Sequence, residues 1–204
     1  MRILLVTNDY PPKPGGIQQY LGSLVAALDA EVHVLAPADD GDDPAVIRNR
    51  RRFMWPTRAV RRWVEQHVRE IEPDIVFFGA PYPLAHLGPG LRKRTGVPYA
   101  VLCHGAEVVM PAAFPVTRQL IRYPLRRADV VFAVSRFTQD RVRRLSGREV
   151  EYVAGGVDPS FHPAAEPKDP GGVIGCVSRF VPLDLKSMPP LGIESLDFLG
   201  REVL

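Results

Sequence analysis

The stretch Asn8-Asp9-Tyr10-Pro11-Pro12-Lys13-Pro14-Gly15-Gly16-Ile17-Gln18-Gln19 says most about how this chain folds. It follows a short apolar run, Ile3-Leu4-Leu5-Val6, and precedes a segment, 17–28, whose apolar residues recur at helical spacing. The pattern predicts a strand, a glycine-containing loop and a helix start. Glycines let a ligand approach the backbone, and the free N–H groups of a helix start favour an anion. The alternative is that Gly15-Gly16 is only a tight turn.

Apolar runs of strand length alternate with helix-period segments over the first 153 residues. Strands are predicted at 3–7, 31–35, 74–78, 99–103, 130–134 and 149–153, and helices at 17–28, 57–71, 84–94, 114–127 and 137–145. Repeated alternation of this kind predicts an α/β fold, a Rossmann-like parallel sheet with helices on both faces. The first loop carries neither G-x-G-x-x-G nor G-x-x-x-x-G-K-[ST], which excludes the dinucleotide-binding and Walker motifs.

Composition indicates a globular protein on the cytoplasmic side of the membrane. The chain has 204 residues, of which 46% are hydrophobic, and a net charge of +3 that is too small to indicate nucleic acid. Cys103 and Cys176 form no C-x-x-C pair and are expected to be reduced core cysteines. No signal peptide and no run of about 18 apolar residues is present, so we expect a soluble or peripheral protein.

The domain organisation is predicted from a change in composition near residue 158. Residues 1–158 are expected to form a first domain, and 159–172, rich in proline and alanine, a linker. Val173-Ile174-Gly175-Cys176-Val177 reads as the first strand of a second domain, 173–204. No further strand–helix unit follows it, so the second domain is expected to be only begun.

Two segments directly follow predicted strands, where open α/β sheets bind their ligands. One is the Gly15-Gly16 loop, and the other is His104-Gly105-Ala106-Glu107. His104 either hydrogen-bonds a sugar hydroxyl or orients a reacting group, or it is a structural hydrogen-bonding residue. Glu107 either supports His104 or caps the following turn, and we favour capping.

A basic segment, Arg48 to Arg69, contains eight arginines with Trp55 and Trp63 interleaved. It is either an interfacial helix on anionic lipid or a solvated helix with Trp63 in the core. Nucleic-acid binding has no recognised motif to support it. A second cluster, Arg118, Arg122, Arg126 and Arg127, is expected to be a solvated helix face.

Over about residues 1–182 the chain resembles the N-terminal half of a retaining GT-B glycosyltransferase of family 4, particularly the bacterial phosphatidylinositol mannosyltransferases. Four stretches in a characteristic order carry the resemblance: Tyr10-Pro11-Pro12 running into Gly15-Gly16-Ile17-Gln18, His104-Gly105-Ala106-Glu107, Val134-Ser135-Arg136-Phe137-Thr138, and Gly155-Gly156-Val157-Asp158 followed by Phe161-His162-Pro163.

The resemblance implies two Rossmann-like domains with a cleft between them, the first binding the acceptor and the second the nucleotide sugar. It implies GDP-mannose or another nucleotide sugar as donor, a lipid or polyol as acceptor, and no metal or cofactor. It assigns His104 to catalysis as a contact to the transferred sugar, Gly15, Gly16 and Arg179 to the donor phosphates, and Gln18 and Tyr10 to the acceptor.

The end of the chain departs from the family pattern. Leu183-Asp184-Leu185-Lys186 stands where the family has a basic, glycine-containing stretch, and Asp184 would repel phosphate. Glu194 and Glu202 have the separation of a family glutamate pair but come too early in the second domain. We expect a divergent or out-of-frame ending and impaired transfer. The alternatives are a non-catalytic acceptor-binding remnant or membrane-associated binding domain, and a sugar-nucleotide epimerase, which shares the fold.

Overall fold

A computed structural model describes residues 1–109 and 111–156, which build a single seven-stranded parallel sheet. The strand order is β3-β2-β1-β4-β5-β6-β7, which confirms the predicted Rossmann-like α/β class. The strands are β1 Arg2–Val6, β2 Glu31–Ala36, β3 Val46–Arg48, β4 Ile75–Phe78, β5 Tyr99–Cys103, β6 Val130–Ala133 and β7 Glu151–Tyr152. The predicted linker 159–172, the segment 173–204 and Arg179 lie outside the described residues, so the domain boundary at 158 stays a prediction.

Six α-helices connect the strands: α1 Gly16–Ala27, α2 Arg58–Ile71, α3 Gly88–Thr95, α4 Ala106–Val109, α5 Pro115–Arg127 and α6 Arg136–Ser146. Their ends follow from local chemistry. The Thr57 hydroxyl accepts a hydrogen bond from the N–H of Val60 at the start of α2, and Ser135 caps α6 in the same way through Thr138. Gly147, in the left-handed region at φ 68°, ends α6.

The two faces of the sheet are covered unequally. On one face, α2, α3, α5 and α6 pack over a core that includes Val64, Leu91 and Leu125. On the other face α1 packs against the sheet, and its Leu21 is fully buried with Leu5 and Val34. Helices were predicted on both faces, and the structure adds that α2, α3, α5 and α6 lie on one, together with Val108 of α4, and α1 on the other.

Two elements differ from the sequence-based expectation. Residues 84–94 form a short 3-10 helix, Leu84–Leu87, followed by α3, rather than one α-helix. The three-residue strand β3 was not predicted, because so short an edge strand has no visible alternation; it pairs with β2 through Val34 and Val46. The basic segment 48–69 consists of a strand end, an irregular loop and α2, which occupies the predicted helix.

The carboxyl ends of β1, β4 and β5 lie side by side, since these strands are neighbours and all run in the same direction. The backbone N–H of Gly79, just after β4, donates to the carbonyl of Val6 at the end of β1. The loops that follow these three strands therefore meet at one edge of the sheet, where ligands bind in open α/β folds.

Candidate functional site

His104 lies at this edge and its ring is held in one orientation. Its Nε2 is 2.9 Å from the carbonyl oxygen of Gly79. A carbonyl oxygen only accepts hydrogen bonds, so Nε2 must carry the proton and donate it. Nδ1 makes no hydrogen bond to any described residue and remains available as an acceptor. The structure thus leaves one nitrogen of a half-buried imidazole free for a ligand hydroxyl.

Tyr20, on α1, supports the same ring from the side. Its ring meets that of His104 edge-on at a centroid distance of 5.4 Å. Its hydroxyl donates to the carbonyl of Val153, 3.2 Å away, just after β7. Burial raises the pKa of Tyr20, so the hydroxyl keeps its proton at neutral pH. Tyr20 therefore joins α1, the end of β7 and the imidazole.

Glu107 caps the turn after β5, as favoured from the sequence. Its Oε1 accepts hydrogen bonds from the backbone N–H groups of His104, at 2.5 Å, and Gly105, at 3.2 Å. Both of these contacts are to backbone and not to the imidazole. The carboxylate satisfies donors that would otherwise be unpaired at the start of α4 and fixes the backbone that carries His104.

Asp9 completes the group and was not singled out in the sequence. The Nε2 of Gln18 donates to its Oδ1 at 2.9 Å. Burial raises the pKa of Asp9, while the nearby side chains of Lys13 and His104 oppose that rise. A polar residue just past a strand, on the edge shared with His104, was the available signal. The structure brings Asp9, Gln18 and His104 together.

The glycine loop leads directly into α1. No side chain caps this helix and its first turn holds no acidic residue, so its first backbone N–H groups are available to an anion. A Cβ on Gly15 would come within 2.0 Å of the Oε1 of Gln18, whereas a Cβ on Gly16 would meet nothing within 4 Å. Gly15 thus makes room for the side chain of Gln18, and Gly16 faces open space. Their assignment to donor phosphates stays a prediction.

Tyr10 does not join this group. Its side chain is only 6% exposed and packs in the core with Leu5, Val34 and Val46. The structure therefore gives Tyr10 a packing role, and its assignment as an acceptor contact stays a prediction.

A cavity of about 160 Å³ opens beside Asp9. Thr7, Asn8 and Asp9 form one wall, and Phe53 and Tyr82 form the other. A shallower hollow of about 400 Å³ lies between the proline loop 11–15 and the first turns of α1. Both adjoin the loop that was predicted to bind ligand.

Within residues 1–109 and 111–156, no cluster of three or more His, Cys, Asp or Glu side chains is arranged to hold a metal ion. In the same part of the chain, every helix is too short or too polar to cross a bilayer. The expectation that no metal or cofactor takes part stays a prediction. Cys103 is buried and free, as expected for a core cysteine.

Comparison with known proteins identifies the family. The model of Glycosyltransferase Family 4 matches residues 14–161, which is more than half of the chain. The chain belongs to glycosyltransferase family 4. The matched range begins in the glycine loop and includes α1, His104 and the strands after β1, so it covers the edge described above except for Asp9 and the end of β1.

Two curated relatives show the same relationship over nearly all of the chain. A GDP-mannose-dependent alpha-(1-6)-phosphatidylinositol monomannoside mannosyltransferase of Mycolicibacterium smegmatis is 35% identical over 225 residues, covering 98% of this chain and 58% of the relative. A GDP-mannose-dependent monoacylated alpha-(1-6)-phosphatidylinositol monomannoside mannosyltransferase of Corynebacterium glutamicum is 33% identical, covering 92% and 57%. The chain thus spans somewhat more than half the length of these relatives.

Solved structures confirm the fold. Anabaena Alr3699/HepE in complex with UDP-glucose superposes with a TM-score of 0.56 at 19% identity, covering 78% of this chain and 44% of that one. The UDP-GlcNAc 2-epimerase of Methanocaldococcus jannaschii superposes with a TM-score of 0.52 at 11% identity, covering 76% and 46%. A protein crystallised with UDP-glucose and an epimerase thus share this architecture, and fold alone does not assign a reaction.

Proposed function

We propose that the described residues form the acceptor-binding half of a retaining mannosyltransferase that moves mannose from GDP-mannose to a phosphatidylinositol-mannoside lipid. The observation that carries the proposal is the 35% identity, over 98% of this chain, to a GDP-mannose-dependent mannosyltransferase with such an acceptor. The alternative, a sugar-nucleotide epimerase, is supported only by similarity of fold to an epimerase structure that is 11% identical in sequence.

In this proposal some residues at the sheet edge contact the lipid acceptor and others contact the nucleotide sugar. The carboxylate of Asp9 accepts a hydrogen bond from an acceptor hydroxyl, and Gln18, which already donates to Asp9, holds that carboxylate in place. The free Nδ1 of His104 contacts a hydroxyl of the transferred sugar. The N–H groups at the start of α1 face the donor diphosphate near Gly16. Arg179 is proposed for that diphosphate from the resemblance alone.

In the transfer itself the bond between the mannose anomeric carbon and the GDP phosphate breaks, and a bond from that carbon to the acceptor oxygen forms. GDP leaves and the acceptor hydroxyl loses its proton. The domain's contribution is to position the acceptor oxygen and keep its approach fixed, which lowers the entropic part of the barrier. The proposed setting is the cytoplasmic face of a membrane, with the protein bound peripherally.

Isothermal titration with a deacylated phosphatidylinositol monomannoside tests the acceptor half of the proposal without any bilayer. We expect saturable binding that Gln18→Ala weakens, because Asp9 then loses its hydrogen-bonded support. Asp140→Asn, an exposed change on α6, is the matched control and should bind like the parent. Absence of binding at millimolar ligand, or equal binding by the Gln18 variant, would contradict the proposal.

A transfer assay with radiolabelled GDP-mannose and the same deacylated phosphatidylinositol monomannoside distinguishes an enzyme from a binding domain. Product that disappears in His104→Ala would support transfer by this chain. Headgroup binding without product would favour the acceptor-binding alternative. Conversion of a UDP-sugar without any acceptor would favour the epimerase and contradict the proposal.

A further inference from the structure

Aromatic side chains form a continuous row that starts at the cavity beside Asp9, and all of them except the half-buried His86 are exposed. Phe53 lies 5.0 Å from Trp55, and Trp55 lies 6.1 Å from Tyr82, measured between ring centroids. Tyr82 lies 5.7 Å from His86, which stacks on Tyr123 of α5 at 5.8 Å. We call these five residues the aromatic row. Its first and third members also line the cavity that holds Asp9.

The row continues into an apolar stripe along α5. Val116, Leu120 and Tyr123 are spaced at i, i+4 and i+7, so they share one side of the helix, and all three are exposed, Val116 by 74%. Phe114 precedes them at the N-cap and is also exposed. We call Val116, Leu120 and Tyr123 the α5 stripe. Of the eleven large apolar side chains exposed in residues 1–109 and 111–156, seven belong to the row, to the stripe or to Phe114.

This exposure is held in place by the fold rather than left to a loose loop. Met54, between Phe53 and Trp55, is fully buried. The side-chain amide of Asn8 makes two hydrogen bonds to the backbone of Met54. Its Nδ2 donates to the Met54 carbonyl at 3.0 Å, and its Oδ1 accepts from the Met54 N–H at 2.8 Å. The loop is therefore anchored in the core while Trp55 stays 51% exposed.

Arginines border the apolar surface at both ends. Arg50, Arg51 and Arg52 are exposed and immediately precede Phe53. On α5, Arg126 and Arg127 adjoin the stripe, and the guanidinium of Arg127 lies over the Tyr123 ring, 4.2 Å from its centroid. Among the described residues none of these five arginines forms an ion pair with a carboxylate. Their charge is therefore not neutralised within this part of the protein, and it complements an anionic partner.

We propose that the aromatic row and the α5 stripe form a docking surface for the interface of an anionic lipid bilayer. Trp and Tyr are the side chains enriched at that interface, and arginines beside them attract lipid phosphates. A contiguous exposed apolar surface of this kind marks an interaction site. The bilayer then lies next to the cavity of Asp9. The inference stands on the surface itself and does not require the proposed transfer reaction.

The location differs from the one expected from the sequence. Arg48, only partly exposed, is held in an ion pair with Asp39 at 2.6 Å, and Trp63 is partly buried against the core. These two residues are thus unavailable to lipid, whereas α5, expected to be a solvated face, carries the stripe.

Flotation with vesicles that contain no inositol lipid tests the surface apart from the reaction. We expect the full chain to float with phosphatidylglycerol/phosphatidylcholine vesicles and not with pure phosphatidylcholine. Val116→Gln/Leu120→Gln should reduce binding by about tenfold or more, because two apolar side chains lose their burial. Phe137→Gln, an exposed aromatic on α6 outside the surface, is the control and should float like the parent. Equal flotation of the stripe variant and the parent would overturn the proposal.

The charged border is tested by a matched pair of double variants. Arg51→Gln/Arg52→Gln should weaken binding to anionic vesicles by about 30-fold at low salt, at roughly 1 kcal/mol per basic residue. Arg141→Gln/Arg144→Gln on α6 should change it little. Equal loss in both pairs would show that net charge, not this surface, drives binding, and would contradict the proposal.

Trp55 provides a direct reporter, since the chain contains only two tryptophans. In Trp63→Phe, emission comes from Trp55 alone and should shift to shorter wavelength when anionic vesicles are added. An unchanged spectrum at vesicle concentrations that float the protein would contradict docking through the row. Analytical ultracentrifugation without lipid tests whether the surface instead binds a second copy of the chain. Dimerisation that Val116→Gln/Leu120→Gln abolishes would assign the surface to that second copy and overturn the lipid proposal.

Discussion

At the residue scale, the site depends on which atoms of His104 and Asp9 are left free. The protein itself uses Nε2 of His104 and Oδ1 of Asp9, through Gly79 and Gln18. The remaining Nδ1 and Oδ2 are therefore the atoms offered to ligands. An imidazole with one nitrogen fixed presents the other in a defined direction, which is what a sugar hydroxyl requires.

The two loop glycines are expected to respond differently to alanine. Gly16→Ala adds a methyl group in open space, so the fold should be unchanged while a ligand at the start of α1 is obstructed. Gly15→Ala would push aside the side chain of Gln18 and break its bond to Asp9. Titration should show weakened headgroup binding for Gly15→Ala and near-normal binding for Gly16→Ala, whereas binding of a nucleotide sugar should suffer in Gly16→Ala.

Identical effects of the two alanines on both ligands would contradict this division. Circular dichroism and thermal unfolding serve as the control, since Gly16→Ala replaces a glycine within a helix and should leave the unfolding temperature unchanged or slightly higher.

Asp9→Asn is expected to affect headgroup binding and the stability of the fold in opposite directions. Loss of the charged acceptor should weaken headgroup binding by tenfold or more, the scale of about 1.5–3 kcal/mol for a hydrogen bond to a charged group. Because burial raises the pKa of Asp9 above its ordinary 3.8, the folded state favours the protonated carboxyl. Its contribution to stability is fully present below pH 3.8 and is lost as the pH rises through the folded pKa.

The asparagine variant should therefore be more stable than the parent at pH 7, with the difference closing as the pH falls below 3.8. Urea unfolding at both pH values measures it. A variant less stable than the parent at pH 7 would show that the negative charge of Asp9 is stabilised in the folded protein, contrary to this account.

Residue roles were only partly readable from the sequence. His104 and Gln18 were found because each stands just past a predicted strand or at a helix start. The burial of Tyr10 was not predicted, because the direction of a side chain in an irregular loop follows no periodicity. Asp9 was overlooked because its proximity to His104 is a long-range contact.

At the element scale, the amphipathic segments were predictable and the irregular ones were not. Helix α2 was expected at 57–71 from its apolar spacing and occupies Arg58–Ile71. The preceding residues hold β3 and the Met54 loop, whose conformations depend on pairing with β2 and on Asn8. Both partners are distant in sequence, so local patterns do not reveal them.

Asn8→Ala should loosen this loop. Two buried hydrogen bonds disappear and the N–H and carbonyl of Met54 are left without their partner, at a cost of about 2–4 kcal/mol in the free energy of unfolding. Asn49→Ala is the control, because Asn49 accepts a single exposed bond from the Arg51 N–H and should cost about 0.5 kcal/mol. Urea unfolding compares the two, and equal effects would refute the anchoring role of Asn8.

At the scale of the whole molecule, the sheet order explains why distant motifs meet. Strands β1, β4 and β5 are adjacent although about 70 residues separate β1 from β4, and their parallel direction collects the ends of three loops on one edge. The alternation of strands and helices predicted this class of fold. It did not predict how many helices cover each face, because that depends on strand order and crossover direction, which are tertiary properties.

The central claim is that the edge holding Asp9, Gln18 and His104 binds an inositol-mannoside headgroup. Amide chemical-shift mapping by NMR of the isotope-labelled chain with the deacylated phosphatidylinositol monomannoside tests it most directly. The account predicts shifts concentrated in residues 8–20, 79–83 and 104–107. Shifts confined to the opposite edge, around Gly96 and Gly147, or no shifts at a ligand concentration that saturates the titration, would contradict it.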